Sequence, residues 1–364
     1  MLPNKHKIET LGARKIKGRG ARVLASAAAL SAILAACGSS STAQTSSASS
    51  ATGDVPLYVL SSEGYDSAEC SAFQKATGIV CKLSDNSTGP TLAEIQATKN
   101  NPHWGVVWTD GNAPYAALDT QGMLLRNWEP TTGTVNALGQ QLIPSDKSYI
   151  PTGLTVAGAI VYNSAVIKIP PTSWQSLLSP AYKGQVEMNN PSIDGPSYPI
   201  LAGLFNYLGG VSAGEAFMTQ LKANGFRVSP NNALDDLMAG KTEIAIAQNS
   251  GGMGRQFTNP KIKIAYLNPS AALPSTMAID GKASPQEIKE SQAFANFVYS
   301  SAGQKVMLGG DPQGDSQFFP IVQGTVALKN VPAPSSIPFE FVDPYKWGQL
   351  EPSINTWFNQ NIAQ

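Results

Sequence analysis

The chain has 364 residues, with 42% hydrophobic and 14% charged side chains, 33 Gly and 26 Pro; at about 150 residues per domain that is material for two or three domains. Those proportions exclude a disordered polyelectrolyte and a collagen-like chain. The 25 basic and 25 acidic residues cancel overall, yet seven basic side chains (Lys5, Lys7, Arg14, Lys15, Lys17, Arg19 and Arg22) precede position 23, opposed by Glu9 alone. Setting these aside leaves 18 basic against 24 acidic residues from Cys37 onward, so the remainder lacks a nucleic-acid footprint. His6 and His103 are the only histidines, which all but removes a histidine-rich metal site or a Ser-His-Asp triad.

The basic first 22 residues lead into an apolar run over 23–36. At about 14 residues it falls short of the roughly 20 needed to span a bilayer, and it reads as the apolar part of a signal peptide. Leu34-Ala35-Ala36-Cys37 resembles a bacterial lipobox. That resemblance implies a lipoprotein signal peptide over 1–36, with Cys37 lipidated as the mature N-terminus; an ordinary cleavable signal is the alternative. The Ser-rich stretch 37–53 cannot build a core and reads as a flexible tether. The expected location is the cell envelope, lipid-anchored on the periplasmic or extracellular face of the membrane. Two cysteines remain, Cys70 and Cys81; an even pair in an oxidising compartment suggests a disulfide, two buried thiols being the alternative.

Next come a β-prone run at 55–60, ending at Ser61-Ser62-Glu63-Gly64, and a helix at 66–76 closed by Thr77-Gly78. A strand is expected at 79–83, then a loop whose Pro90 suits a first helical position, and a strand at 106–108 ending at Thr109-Asp110. This βαβαβ rhythm predicts mostly parallel sheets with ligands beyond the carboxyl ends of the strands. A second series offers a strand at 185–188, a loop at 189–198, helices at 199–208, 212–224 and 233–240, and a strand at 244–247 followed by a loop at 248–252. Extended stretches at 158–163 and 262–267 are candidate links between two α/β lobes. Helices follow at 285–300, 302–308 and 344–360.

Asp85-Asn86-Ser87-Thr88-Gly89, Asn101-Pro102 before Val106-Val107-Trp108, Gly158-Ala159-Ile160-Val161-Tyr162-Asn163, Pro171-Thr172-Ser173-Trp174, Pro180-Ala181-Tyr182-Lys183-Gly184 and Asn189-Asn190-Pro191 follow one another in a telling order. That order resembles the extracellular solute-binding proteins of ABC importers, in the group for ferric iron, phosphonate and sugar phosphate, over nearly all of 54–364. The Ser-Thr-Gly loop and the Val-Val-Trp strand look most like 2-aminoethylphosphonate-binding members. The resemblance implies a type II periplasmic-binding fold, α/β, with two lobes and two hinge crossings. Lobe 1 would comprise 54–157 and 265–364 with the C-terminal helices, and lobe 2 would comprise 158–264. It further implies a monomer without a cofactor or enzymatic activity, handing a small polar solute to ABC permease subunits.

Ser87, Thr88 and Gly89 stand where a loop enters a helix, so backbone N–H groups and the helix dipole there favour an anion; such a trio is also an ordinary N-cap. Ser192, Gly195, Ser197 and Tyr198 are candidate donors from the opposite lobe, against a plain Gly/Pro turn. Asn249, Ser250 and Gly251 follow a second-lobe strand, against a simple loop. Ser62, Glu63, Thr109 and Asp110 also follow strands, and the two carboxylates suit the ammonium of a zwitterion such as an aminophosphonate, unless they are solvated loop acids. Trp108 and Tyr162 are assigned to the core or the hinge. Ferric iron is the neighbouring alternative, although no two of the 11 tyrosines are consecutive; no metal ligand is assigned, and polyamines stay open. Rival classes are an extracytoplasmic lipoprotein enzyme, with no G-x-S-x-G elbow, HExxH pair or P-loop expected to support it, and a purely structural lipoprotein.

Overall fold

The computed structural model describes residues 55–364. The expected signal peptide, tether and Cys37 lipidation therefore lie outside the described residues. The first lobe opens with β1 (Leu57–Ser61), α1 (Asp66–Thr77), β2 (Cys81–Asp85), α2 (Thr88–Thr98), β3 (Val106–Asp110), α3 (Ala113–Thr120), α4 (Ala137–Gln140) and β4 (Ile150–Val156). The chain then crosses to β5 (Ala159–Asn163), β6 (Val186–Met188), α5 (Ser197–Tyr207), α6 (Val211–Ala223), β7 (Arg227–Val228), α7 (Ala233–Met238), β8 (Ile244–Ala247), α8 (Asn249–Thr258) and β9 (Ile262–Ala265). It returns through β10 (Ser270–Ile279), α9 (Pro285–Tyr299), α10 (Ser301–Gly310), β11 (Phe339–Glu340) and α11 (Pro344–Asn361).

Two mixed sheets result. The first runs β11-β10-β3-β1-β2, with β4 also on β10; the second runs β7-β6-β8-β5-β9. β1 pairs in parallel with β2 and β3, while β10 lies antiparallel to β3 and β4. Each sheet carries its own apolar core. Phe73, Trp108, Phe294 and Phe318 pack in the first lobe, and Val186, Leu204, Phe205 and Phe217 in the second. Trp108 is fully buried, its indole N–H donating to Thr152 Oγ1 at 2.9 Å, and Tyr162 packs at the margin of the second core.

Several boundaries differ from the sequence expectation for physical reasons. β2 begins at Cys81 rather than Ile79, held in parallel register by Leu57 opposite Cys81. α2 begins at Thr88, so Pro90 is its third residue, a position whose N–H has no intrahelical partner in any case. The expected loop after β8 is helical from Asn249, although Ser-Gly-Gly is a poor helix former. β4 and β10 were not anticipated because Pro151 and Pro274 argue against strands; Pro274 adjoins the register shift at Ser275/Thr276. The stretches 158–163 and 262–267 are largely β5 and β9, paired antiparallel in the second sheet, and the crossings are the short segments beside them.

α11 does not sit with the first lobe alone. It packs on α3 and α5, and its Trp347, Ile354 and Phe358 join the second-lobe core. Asn359 donates to Ser192 Oγ at 2.8 Å and accepts from Asn190 at 2.8 Å, while Tyr345 donates to Asp119 at 3.0 Å. The helix therefore braces both lobes, with Pro352 in its middle. Cys70 and Cys81 are joined by a disulfide that ties α1 to β2, with their Cα atoms 5.5 Å apart.

Candidate functional site

β1, β2 and β3 deliver their carboxyl ends to α1, α2 and α3; β6 and β8 deliver theirs to α5 and α8. These ends face one another across the crevice between the lobes, where open α/β sheets place ligands. The lobes touch there. Gly89 N–H approaches Ile193 O at 3.4 Å, and a Cβ added to Gly195 would lie 2.4 Å from Thr88 Oγ1. Ser62 Oγ and Thr88 Oγ1 are 3.0 Å apart. From the far side, the loop after α10 inserts Asp315, which accepts from Gly64 N–H at 2.8 Å and lies 3.5 Å from Ser250 Oγ of α8.

Acidic groups dominate the crevice. Glu63 is 3% exposed; it accepts from the Tyr65 hydroxyl at 2.9 Å through Oε2, while its buried Oε1 has no partner. Burial first, then the nearby charge of Asp315, pushes its carboxyl far above the usual range. Asp110 is 8% exposed, and no hydrogen bond from a described residue reaches its carboxylate. Burial raises it strongly, helped by Glu63, Asp315 and Asp194. Asp194, raised by burial, holds hydrogen bonds from Ser197 and Asn189, and Asp315 is raised by burial and by Asp311. No lysine, arginine or histidine among the described residues opposes these four carboxyls. The compensating partial charges come from the helices, since α1, α2, α5 and α8 all point their amino ends here.

The structure gathers Ser62, Glu63, Thr88, Gly89, Asp110, Gly195 and Ser250 around this crevice. It places other candidates elsewhere. Ser87 is exposed and makes no capping bond. Thr109 is fully buried, and its backbone N–H donates to Tyr115 Oη at 2.8 Å inside the first lobe. Asn249 spends its side chain on the hinge, accepting from Val156 N–H at 2.8 Å. Gly251 faces Leu234 of α7, whose Cδ1 would lie 2.8 Å from an added Cβ. Ser192 and Tyr198 do line the space beside the Thr88–Gly195 contact, with the Ser192 hydroxyl bonded by Asn359 of α11 and the Tyr198 hydroxyl given to Trp347 O, while Ser197 bonds Asp194. Sequence reasoning missed Asp194 and Asp315. Asp194 lay inside a loop already singled out, and Asp315 follows a Gly/Asp-rich run typical of loops (309–314).

Two chemical alternatives meet the geometry directly. Among the described residues no group of three or more His, Cys, Asp or Glu side chains is arranged to hold a metal ion. The spacing G-x-S-x-G does occur, at 210–214, but Ser212 is exposed in the first turn of α6, after a helix rather than a strand, so it forms no nucleophile elbow.

A two-lobed α/β clamp with a polar crevice is the architecture of a binding protein, and sequence comparison agrees. Residues 127–347 match the family model described as "Bacterial extracellular solute-binding protein", and the chain belongs to that family. A Salmonella typhimurium protein named "Putative 2-aminoethylphosphonate-binding periplasmic protein" is 25% identical over 241 residues, 64% of this chain and 68% of the relative. A Salmonella paratyphi A protein of the same name is 24% identical over the same length and shares of each chain. Among solved structures, AfuA of Actinobacillus pleuropneumoniae with fructose-6-phosphate bound superposes with a TM-score of 0.73 at 17% identity, covering 84% of this chain and 98% of its own. Iron-bound HitA of Pseudomonas aeruginosa gives 0.72 at 20% identity, covering 83% and 98%. These likenesses define the fold, a type II periplasmic-binding architecture.

Proposed function

We propose that this protein is the solute-capturing component of an ABC importer, held outside the cytoplasmic membrane by a lipid on Cys37, and that its solute is a small zwitterion carrying an ammonium and a phosphonate or phosphate. The observation that carries the reading is Asp110, buried at the lobe contact with no hydrogen bond from a described residue and no basic side chain near it. Its carboxylate faces the space between the lobes from a largely buried side chain, where it is poorly solvated, and a ligand ammonium supplies a partner. The anionic end has the amino ends of α1, α2, α5 and α8, with the hydroxyls of Ser62, Thr88 and Ser250, as its donors. The name of the Salmonella relatives agrees with a solute of this class. Capture needs no covalent step: the solute stabilises the closed form by its differential affinity, and the closed form docks on the permease.

Ferric iron is less well served. The phenols nearest the crevice are already engaged, Tyr65 with Glu63 and Ser275 and Tyr198 with Trp347 O. The test is a thermal-shift panel of 2-aminoethylphosphonate, fructose-6-phosphate, ferric citrate and spermidine. A solute at 100 times its Kd stabilises the folded state by about 2.7 kcal/mol. The amine-bearing phosphonate should raise the melting temperature, and Asp110→Asn should abolish the shift. Stabilisation by ferric citrate or fructose-6-phosphate alone overturns the reading.

A further inference from the structure

We propose that the solute extends beyond the crevice, carrying on its amine an apolar arm that lies between α2, α3 and α11 and ends in a second donor group held by Glu351. The inference deepens the amine-binding reading above and rests on it. A chamber of about 480 Å³ opens beside the Thr88–Gly195 contact. Leu92 and Ala93 of α2, Leu118 of α3 and Pro352 of α11 give it an apolar stretch, interrupted by the amides of Gln96 and Gln121. Its acids stand on facing walls. Asp110 and Asp194 lie at the lobe contact, Glu351 lies on α11, and no lysine, arginine or histidine lines the space.

Three polar groups in this chamber lack partners. Asp110 has none among the described residues while more than nine-tenths buried. Glu351, half-buried, has no hydrogen bond from a described residue either, and partial desolvation pushes its carboxyl up to about 7. One turn further along α11, Asn355 Oδ1 is buried and unbonded. All three are acceptors or acids, so the missing groups are donors.

Volume sets the length of the arm. At roughly 30 Å³ per non-hydrogen atom, a two-carbon aminophosphonate fills less than half of the chamber, even if placed wholly inside it. Its phosphonate belongs instead at the helix amino ends in the crevice, which leaves the chamber emptier still. Each methylene laid against the apolar stretch strengthens binding by about fourfold before the ordering of the arm is subtracted. An ammonium at the end of the arm then meets Glu351. The class of solute is thus an N-extended, amine-terminated chain, and Glu351 is the residue that selects for its length.

The test compares three probes by calorimetry on the full chain: 2-aminoethylphosphonate, the same molecule with a 3-aminopropyl group on its nitrogen, and 1,4-diaminobutane. The N-extended phosphonate should bind at least about tenfold more tightly than its parent. Glu351→Gln should erase that gap and leave the parent's affinity unchanged. Leu92→Trp, which fills the chamber from the opposite wall, should do the same if the first variant does not fold. Equal or weaker binding of the extended probe overturns the chamber while leaving the crevice reading intact. Binding of the diamine alone, weakened by Glu351→Gln, supports the chamber and overturns the phosphonate half of that reading. Failure of all three probes overturns both.

Discussion

Gly195→Ala isolates the closing contact from the fold. The added methyl would sit 2.4 Å from Thr88 Oγ1, 3.0 Å from Thr88 Cβ and 3.3 Å from Asp110 Cβ. Ordinary C···O contacts begin near 3.3 Å, so the lobes must part by about 1 Å along this line. Thr88 has little room to yield, being 6% exposed in the first turn of α2 with its hydroxyl 3.0 Å from Ser62 Oγ. Overpacking of this kind costs about 1–3 kcal/mol. Because residues 88 and 195 belong to different lobes, the penalty falls on the closed form alone, and it converts to a loss of affinity of roughly 5- to 150-fold. Gly195 does not occupy the left-handed region, so alanine brings no backbone strain. The melting temperature without solute should therefore match that of the wild type, while calorimetry with the solute found by the panel should show the weakened binding. Gly195→Val should bind more weakly still. Wild-type affinity in Gly195→Val would refute closure at this contact.

Four further outcomes follow from particular groups. Solute binding near pH 7 should release protons, because an ammonium lowers the raised carboxyls of Glu63, Asp110 and Asp315; calorimetry in two sulfonate buffers of different protonation enthalpy reads the sign, and proton uptake would mark an anion without a cationic end. Burial holds Glu351 near 7 in the folded protein against 4.5 as a free side chain, so its contribution is fully present below 4.5 and is lost as pH rises through 7; Glu351→Gln should flatten the fall in melting temperature between those values, and an unchanged slope would refute that assignment. Asn249→Ala leaves the buried Val156 N–H without its acceptor and should lower stability by about 1–3 kcal/mol in urea unfolding, with solute affinity nearly unchanged; lost affinity at full stability would return Asn249 to the site. Cys37→Ala should appear in the soluble fraction, and continued membrane association would refute the lipid anchor.

What the sequence disclosed depended on whether a residue's neighbours in the chain were also its neighbours in space. β8 was legible to the residue at 244–247, because Ile-Ala-Ile-Ala is a short apolar run bounded by polar residues. α1 ends at Gly78 in a left-handed cap, as the Thr-Gly pair indicated. β10 was hidden because Pro274 denies a strand on local grounds, and only its pairing with both β3 and β4 explains its ten residues. The same division runs through the site. Glu63 and Asp110 follow strands and were visible as loop-facing acids, whereas Asp315 reaches Gly64 across 251 positions and nothing local announces it. Thr109 and Asn249 were misplaced because position after a strand does not say which way a side chain turns. Tyr115 and Val156 decide that, each from another element.

On the proposed reading, the placement of charge makes closure depend on the solute. Glu63, Asp110 and Asp315 belong to the first lobe and Asp194 to the second. Burial raises all four carboxyls, and neighbouring acids add to the rise at Glu63, Asp110 and Asp315, so bringing these groups together in one dry space is unfavourable. A cationic group in the crevice reverses the sign of the largest opposing effect, whereas an anion held only by helix amino ends leaves the carboxyl repulsion in place. On the amine-binding reading, ligand charge, more than contact area, triggers closure. A neutral solute of the same shape fails to supply the differential affinity by which any ligand shifts a conformational equilibrium.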